Sequence, residues 1–205
     1  RFKAYDYKRD EKGQPIPAEG EGQFQMEEKI YDIAKMPIHE IHRIRGKQIA
    51  MIFQEPMTSL NPVFTIGQQL DEVTMIHVPG ATKQMAKDKS YEMLRLVGII
   101  PENVYGHYPH ELSGGMRQRV MIAMALAAEP RLIIADEPTG NIDNNLRDDI
   151  MDLLLRINRL GKTVIVVTHD EELIRRYRKR TVEIRAGEII SDRIGLGDSE
   201  GGAQV

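Results

Sequence analysis

The sequence predicts an α/β fold in which a mostly parallel sheet carries an inserted helical segment. Three apolar runs, at residues 49–53, 132–135 and 163–168, have the length and composition of buried parallel strands. Helical patterns with one apolar face separate them. The chain of 205 residues, 41% of them hydrophobic, can bury one core, so we expect residues 1–205 to form a single domain.

Composition narrows the classes of function. A formal net charge of -3 gives no reason to expect a nucleic-acid partner. The absence of cysteine excludes disulfides and thiolate metal sites. No apolar run approaches the roughly 20 residues that a membrane span needs, and we find no signal peptide. We therefore expect a soluble protein that meets a membrane only through a partner.

The residues before the helical segment include a predicted strand, a predicted insertion and a candidate hinge at Gln54. Residues 1–7 alternate apolar and polar side chains, which predicts a strand. We expect residues 8–30, rich in glycine, proline and charge up to residue 25, to form a surface insertion. Gln54 follows the first buried run, where its amide oxygen can reach Mg²⁺ or an attacking water. Amphipathic patterns then predict a helical subdomain over residues 63–127.

The stretch from residue 111 to residue 143 has the pattern of a phosphate site. Ser113, Gly114 and Gly115 precede an apolar helix, so the positive end of that helix can face an anion. Asp136 and Glu137 end the following strand, where open α/β sheets place their ligands. One acid can hold Mg²⁺ while the next deprotonates a water. The alternative for two such acids alone is a solvated strand end.

Beyond the acids, two more side chains fit the same chemistry. Asp143 stands where it can cap a helix with an apolar stripe. His169 follows the third apolar run and can hydrogen-bond a γ-phosphate, although an isolated histidine there is often structural. A hairpin is predicted over residues 181–190, and residues 195–205 are expected to be a disordered tail.

The motifs in this region resemble those of one family. LSGGMRQR resembles the signature motif of ATP-binding-cassette (ABC) ATPases, LIIADEP their Walker B strand and GNID their D-loop. IAMIFQEPMTSLNP is similar to the Q-loop region of the oligopeptide, dipeptide and nickel importer ATPases, and VIVVTHD resembles the H-loop. The GNID segment and the short end after His169 are more similar to the lipoprotein-release and cell-division ABC ATPases.

The resemblance implies an ATPase with a P-loop NTPase-like core that uses ATP and Mg²⁺. It implies that Gln54 and Asp136 hold the metal and that Glu137, Gln54 and His169 are catalytic. The nucleotide-contacting residues that it implies are Ser113, Gly114, Gly115, Gln118 and Asp143, most of them acting across a head-to-tail dimer. The implied partners are a second ATPase subunit, identical or not, and transmembrane permease subunits at the cytoplasmic face of the membrane, with no nucleic acid.

One element of the family pattern has no match in these residues. The P-loop pattern G-x-x-x-x-G-K-[ST] is absent, and we expect the chain to start after it, as an N-terminally truncated domain. Gly161-Lys162-Thr163 is interpreted as a helix end before a strand. Two alternatives to a transport ATPase therefore stay open. One is a fragment without ATPase activity. The other is an ABC ATPase acting on DNA, and long coiled-coil arms before the signature motif would favour this second alternative.

Overall fold

The computed structural model describes residues 2–20, 23–55, 59–140 and 142–194. The elements of these residues are, in order, β1 (Phe2–Tyr7), β2 (Met26–Tyr31), α1 (Ile38–Ile44), β3 (Ile49–Ile52), α2 (Ile66–His77), α3 (Lys83–Leu96), α4 (Gly114–Ala127), β4 (Leu132–Asp136), α5 (Asn144–Arg159), β5 (Thr163–Val167), α6 (Glu171–Tyr177), β6 (Arg180–Arg185) and β7 (Glu188–Ile194). Short 3₁₀ turns lie at Pro101–Asn103 and Pro109–Glu111. The chain divides into two compact units, Arg1–Val167 and Thr168–Val205, a division that the sequence did not predict.

The first unit is built on a three-stranded parallel sheet in the order β3-β4-β5. Helix α4 packs against β3 and helix α5 against β5. The buried face of the sheet carries the side chains of Ala50, Ile52, Ile133 and Ala135. The predicted parallel sheet is therefore confirmed, and its three strands all point their carboxyl ends to one edge.

The opposite face of this sheet corrects the prediction of strands buried on both sides. Met51, Ile134 and Ile165 are paired neighbours on that face. Met51 is 45% exposed, Ile165 46% and Val167 49%. The described residues of the first unit cover this apolar face only in part, and an apolar run does not reveal from its composition whether both of its faces are covered.

An antiparallel hairpin of β1 and β2 precedes the sheet. Strand β1 confirms the prediction for residues 1–7 within the described part, whereas β2 was not predicted. Between the strands the chain bonds to itself, since the Lys8 amide donates to the Gln25 carbonyl at 2.8 Å and the Ile16 amide to the Lys8 carbonyl at 2.9 Å. That residues 8–30 are an insertion stays a prediction.

A largely buried ion pair links the hairpin to the residues just before β3. The Lys47 Nζ lies 2.8 Å from the Asp6 Oδ1 and 3.7 Å from the centroid of the Tyr7 ring. The Lys47 and Asp6 side chains are only 15% and 9% exposed. Next to Lys47, the Gln48 amide nitrogen donates to the Tyr5 carbonyl. These contacts hold the hairpin through polar groups that have little exposure to solvent.

Helices α2, α3 and α4 occupy the segment for which helices were predicted. Thr65 caps α2 in a reciprocal capping box with Gln68, and Thr82 caps α3. Leu70, Leu94 and Ile122, from three different helices, are fully buried. That residues 63–127 form a separate subdomain stays a prediction.

The end of the first unit and the second unit follow the expected pattern of elements. Gly161 follows α5 with a φ of +88°, which confirms a helix end before a strand. The second unit contains α6 and the antiparallel hairpin of β6 and β7, which confirms the predicted hairpin. Residues 195–205 lie outside the described part. In the part of the chain that is described, no helix is both long enough and apolar enough to cross a membrane.

Candidate functional site

Three of the predicted site residues lie at the carboxyl edge of the parallel sheet. Asp136 is the last residue of β4, Glu137 follows it, and Gln54 comes two residues after the end of β3. Because Ile52 pairs with Ala135, the ends of these two strands are neighbours. The sheet therefore brings Gln54 to the same edge as the two acids.

Gly140 shows how close this approach is. A methyl group added at Gly140 would lie 3.2 Å from the Glu137 carbonyl oxygen and 3.5 Å from both Cγ and Nε2 of Gln54. The Gly140 amide donates to the Glu137 carbonyl at 2.9 Å, which closes the turn after β4. The side chain of Gln54 thus lies against a tight turn that begins at Glu137.

Glu137 adopts a left-handed backbone conformation, with a φ of +44°. For a residue with a Cβ this conformation costs on the order of 1–2 kcal/mol. The Glu137 amide donates to the Val167 carbonyl at 2.9 Å, so β5 holds the strained residue in place. Glu129, Arg178 and Ala186 share this conformation, so the position of Glu137 at the carboxyl edge of the sheet, and not the strain alone, marks it as a candidate functional residue. Sequence reasoning missed the conformation, because no residue type there signals a left-handed turn.

Asp136 lies on the partly exposed face of the sheet. It is in register with Val167, and it is itself partly buried. Its carboxylate therefore stands at the end of an apolar surface.

The glycine turn before α4 is the predicted anion site at a helix start. Ser113 is the N-cap of this helix, and its Oγ accepts from the Met116 amide at 3.3 Å. Gly114 is exposed, and a methyl group added there would meet nothing within 4 Å. A methyl group at Gly115 would lie 2.9 Å from Cδ1 of Leu146, so the turn lies against the first turn of α5. The turn offers an open helix terminus of the kind that binds anions.

Three further predicted site residues are Gln118, Asp143 and His169. Gln118 is only 3% exposed, and its Nε2 has no hydrogen-bond partner among the described residues. Asp143 is the N-cap of α5, but its side chain makes no capping bond, so the predicted cap is right in position only. His169 is an exposed residue of the second unit.

The oxygen atoms at the carboxyl edge could supply some, but not all, of the ligands of a hard cation such as Mg²⁺. Amide and carboxylate oxygens, as in Gln54 and Asp136, are ligands that Mg²⁺ accepts, with water and phosphate oxygens completing its shell. The described residues contain no group of three or more His, Cys, Asp or Glu side chains that could hold a metal ion. The residues present therefore fit a Mg²⁺ ion that arrives with a phosphate ligand rather than one held by protein alone.

A parallel sheet with a glycine turn at a helix start and two acids at a strand end defines the class of P-loop NTPase-like α/β proteins. Comparison with known proteins agrees. The family model described as ABC transporter matches residues 12–140. The chain belongs to the ABC transporter family.

Two curated relatives align with most of this chain but with less than half of their own length. The dipeptide transport ATP-binding protein DppD of Haemophilus influenzae is 48% identical over 149 residues, which are 72% of this chain and 45% of that protein. The oligopeptide transport ATP-binding protein OppD of Bacillus subtilis is 44% identical over 161 residues, 78% of this chain and 45% of that protein. The chain thus aligns with less than half the length of these relatives.

The solved structures give the same fold. A dimeric, post-hydrolysis structure of the ATP-binding cassette MJ0796 bound to ADP and Pi matches with a TM-score of 0.70 and 32% identity. The match covers 85% of this chain and 75% of that one. The predicted fold class, an ABC ATPase core with a mostly parallel sheet, is confirmed.

Proposed function

We propose that this chain is the ATP-binding and ATP-hydrolysing part of an ABC transporter that imports peptides. The observation that carries the proposal is the strained Glu137 at the carboxyl edge of the sheet, one residue after Asp136 and beside Gln54. The position of this residue at the edge where the strand carboxyl ends meet is what matters, because phosphoryl transfer to water needs a base held in a fixed place.

Each residue at this edge has a separate task in the proposal. Gln54 and Asp136 offer oxygen ligands to Mg²⁺, which when bound would neutralise negative charge on the phosphate oxygens. Glu137 accepts a proton from the attacking water, and the turn that Gly140 closes holds the backbone from which this carboxylate extends. His169 donates a hydrogen bond to the γ-phosphate and so reports its loss.

The glycine turn serves a second ATPase subunit in the proposal. Ser113, Gly114 and Gly115 face the nucleotide of a partner subunit, identical or not, and Asp143 links the two sites. The nucleotide contact predicted for Gln118 is left out of the proposal, because this residue is only 3% exposed. The open space around Gly114 supports this role, because another chain can approach the helix terminus there. The match to a dimeric cassette bound to ADP and Pi also supports it.

Peptides are the substrate class that the relatives favour. The names of DppD and OppD refer to dipeptide and oligopeptide transport, which favours peptides over nickel, the other substrate that the sequence resemblance implied. The chain would then act on transmembrane permease subunits from the cytoplasmic face of the membrane. Motion of the ATPase dimer on hydrolysis would supply the work.

A chimera tests this proposal. The aligned segment of Haemophilus influenzae DppD would be replaced by the corresponding residues of this chain, and uptake of a radiolabelled dipeptide would be measured in cells without their own DppD. We expect uptake to be restored, and we expect the same chimera with Glu137→Gln to take up none. A chimera that accumulates to normal level and hydrolyses ATP but supports no uptake would contradict the transport part of the proposal.

One observation favours a second candidate, a chain that folds but does not hydrolyse ATP by itself. The 205 residues contain no G-x-x-x-x-G-K-[ST] pattern, the loop that supplies backbone amides and a lysine to the phosphates. Phosphate release by the unaltered chain with Mg²⁺ and ATP separates the two candidates, because only the first one predicts turnover.

A further inference from the structure

One carboxylate in the helical part of the first unit accepts hydrogen bonds from two hydroxyl groups. The Ser90 Oγ donates to Oδ1 of Asp71 at 2.6 Å, and the Tyr105 hydroxyl donates to Oδ2 at 2.6 Å. Asp71 belongs to α2 and Ser90 to α3, whereas Tyr105 lies in the segment between α3 and α4. Short O–H···O⁻ bonds to an ionised group are among the stronger hydrogen bonds in proteins. Asp71 therefore joins three separate parts of the chain.

The Tyr105 ring is fitted closely into this position. A methyl group added at Gly67 would lie 2.6 Å from the ring, so only glycine leaves room for it. Tyr91 meets the ring edge-on at 5.2 Å between centroids. The Lys87 Nζ lies 5.6 Å from the Tyr105 ring centroid. The ring has a single position between α2 and α3.

The backbone of the same segment is bonded to the start of α2. The Gly67 amide donates to the Tyr105 carbonyl at 2.8 Å, and the Ile66 amide donates to the His107 carbonyl at 2.8 Å. A short bonded path then leads to the glycine turn. The Tyr108 amide donates to Glu111 Oε2 at 2.6 Å, and Leu112 is buried directly before Ser113.

We infer that the Tyr105–Asp71–Ser90 hydrogen-bond unit is a positioning element that fixes the Ser113-Gly114-Gly115 turn relative to α2 and α3. Its importance for nucleotide contact rests on the proposed function of that turn. None of the three side chains needs to touch nucleotide. They act through the segment from Tyr105 to Leu112, which has two backbone bonds to α2 and one side-chain anchor.

The Tyr105 hydroxyl is a permanent donor in this unit. Burial and the neighbouring Asp71 carboxylate both raise the pKa of Tyr105 far above its usual range. The hydroxyl therefore keeps its proton at any pH at which the protein is folded. The hydrogen-bond unit has a fixed structural role and is not a pH switch.

Hydrogen exchange of backbone amides tests the positioning role without any nucleotide. We expect Tyr105→Phe to accelerate exchange at residues 105–117 about tenfold, the rate equivalent of losing roughly 1.4 kcal/mol of local stability. Ser90→Ala should act in the same direction. The matched control is Tyr91→Phe, which removes a neighbouring hydroxyl that donates no hydrogen bond within the described residues and should leave these rates unchanged.

Two exchange results would overturn the inference. One is a Tyr105→Phe chain that exchanges like Tyr91→Phe over residues 105–117. The other is an acceleration that extends equally through β3, β4 and β5, because that result would show a general loss of stability instead of a local release.

A kinetic measurement on the same variants then tests whether the position of the turn matters for nucleotide. We expect Tyr105→Phe to raise the KM for ATP by about fivefold with little change in kcat, since the acid pair is untouched. An unchanged KM beside accelerated local exchange would overturn the functional part of the inference. If the unaltered chain does not hydrolyse ATP, the proposed function fails in that form, and hydrogen exchange still decides the positioning role.

Discussion

Replacing Glu137 with glutamine is expected to lower the rate of ATP hydrolysis by about 10²–10⁴-fold while ATP binding is retained. Glutamine has nearly the same shape but cannot accept a proton from water. The backbone bonds of residue 137, from its amide to Val167 and from Gly140 to its carbonyl, do not depend on the side chain. The left-handed turn should therefore persist, and the loss should be one of chemistry rather than of folding.

Phosphate release under single-turnover conditions and equilibrium binding of ATP, both in the DppD chimera, measure the two effects separately. Glu102→Gln, at an exposed acid of the 3₁₀ turn Pro101–Asn103, is the matched control and should leave both unchanged. A Glu137→Gln rate within about twofold of the unaltered protein would show that another group takes the proton.

Replacing Lys47 with methionine is expected to destabilise the first unit by about 3 kcal/mol at neutral pH. Methionine fills similar space but leaves the Asp6 carboxylate without its cation in a position that is only 9% exposed. Removing one partner of a buried pair is costly because the other charge stays desolvated. Urea unfolding of the two chains measures the difference in the free energy of unfolding.

The pH dependence of this effect follows from the Asp6 carboxyl group. Burial raises the pKa of this carboxyl group, but the hydrogen bond and charge of Lys47, the hydrogen bond from the Tyr7 amide and the charge of Arg9 together outweigh burial, and the net pKa is below the usual value. A lowered folded pKa gives stability that is present above the unfolded value of about 3.9 and lost as pH falls through the folded value. Without Lys47 the two largest causes that lower the pKa are lost, so the carboxylate is less stabilised and the difference between the two proteins should shrink as pH falls.

An exposed pair in the same hairpin provides the control. The Lys3 Nζ also lies 2.8 Å from a carboxylate oxygen, that of Glu28, but these side chains are 59% and 39% exposed. Lys3→Met should change unfolding little, because solvent screens such pairs. Equal effects of the two substitutions would contradict the assignment of the Lys47 effect to burial.

The sequence predicted the sheet and the position of the acid pair because these depend on local patterns. Apolar runs identified β3, β4 and β5, and the residues that follow a parallel strand must lie at its carboxyl edge. The approach of Gln54 to Gly140 depends on strand pairing, which a single sequence does not specify.

Three findings were beyond the reach of sequence patterns. Strand β2 is rich in charged residues and was missed, because its pairing with β1 stabilises it more than its own composition does. The left-handed Glu137 has no residue signal, unlike a glycine. The exposure of Ile165 and Val167 depends on what covers the sheet, not on the strand itself.

Amide NMR of this 23.4 kDa chain during titration with ATP and Mg²⁺ tests the central claim most directly. That claim is that the carboxyl edge of the sheet binds the phosphates. We expect saturable shifts at the amides of Gln54, Asp136, Glu137 and Gly140, and their loss when Asp136 and Gln54 are replaced by alanine. Shifts confined to other parts of a folded chain, or no shift at any ATP concentration, would contradict the claim that these residues form the phosphate site.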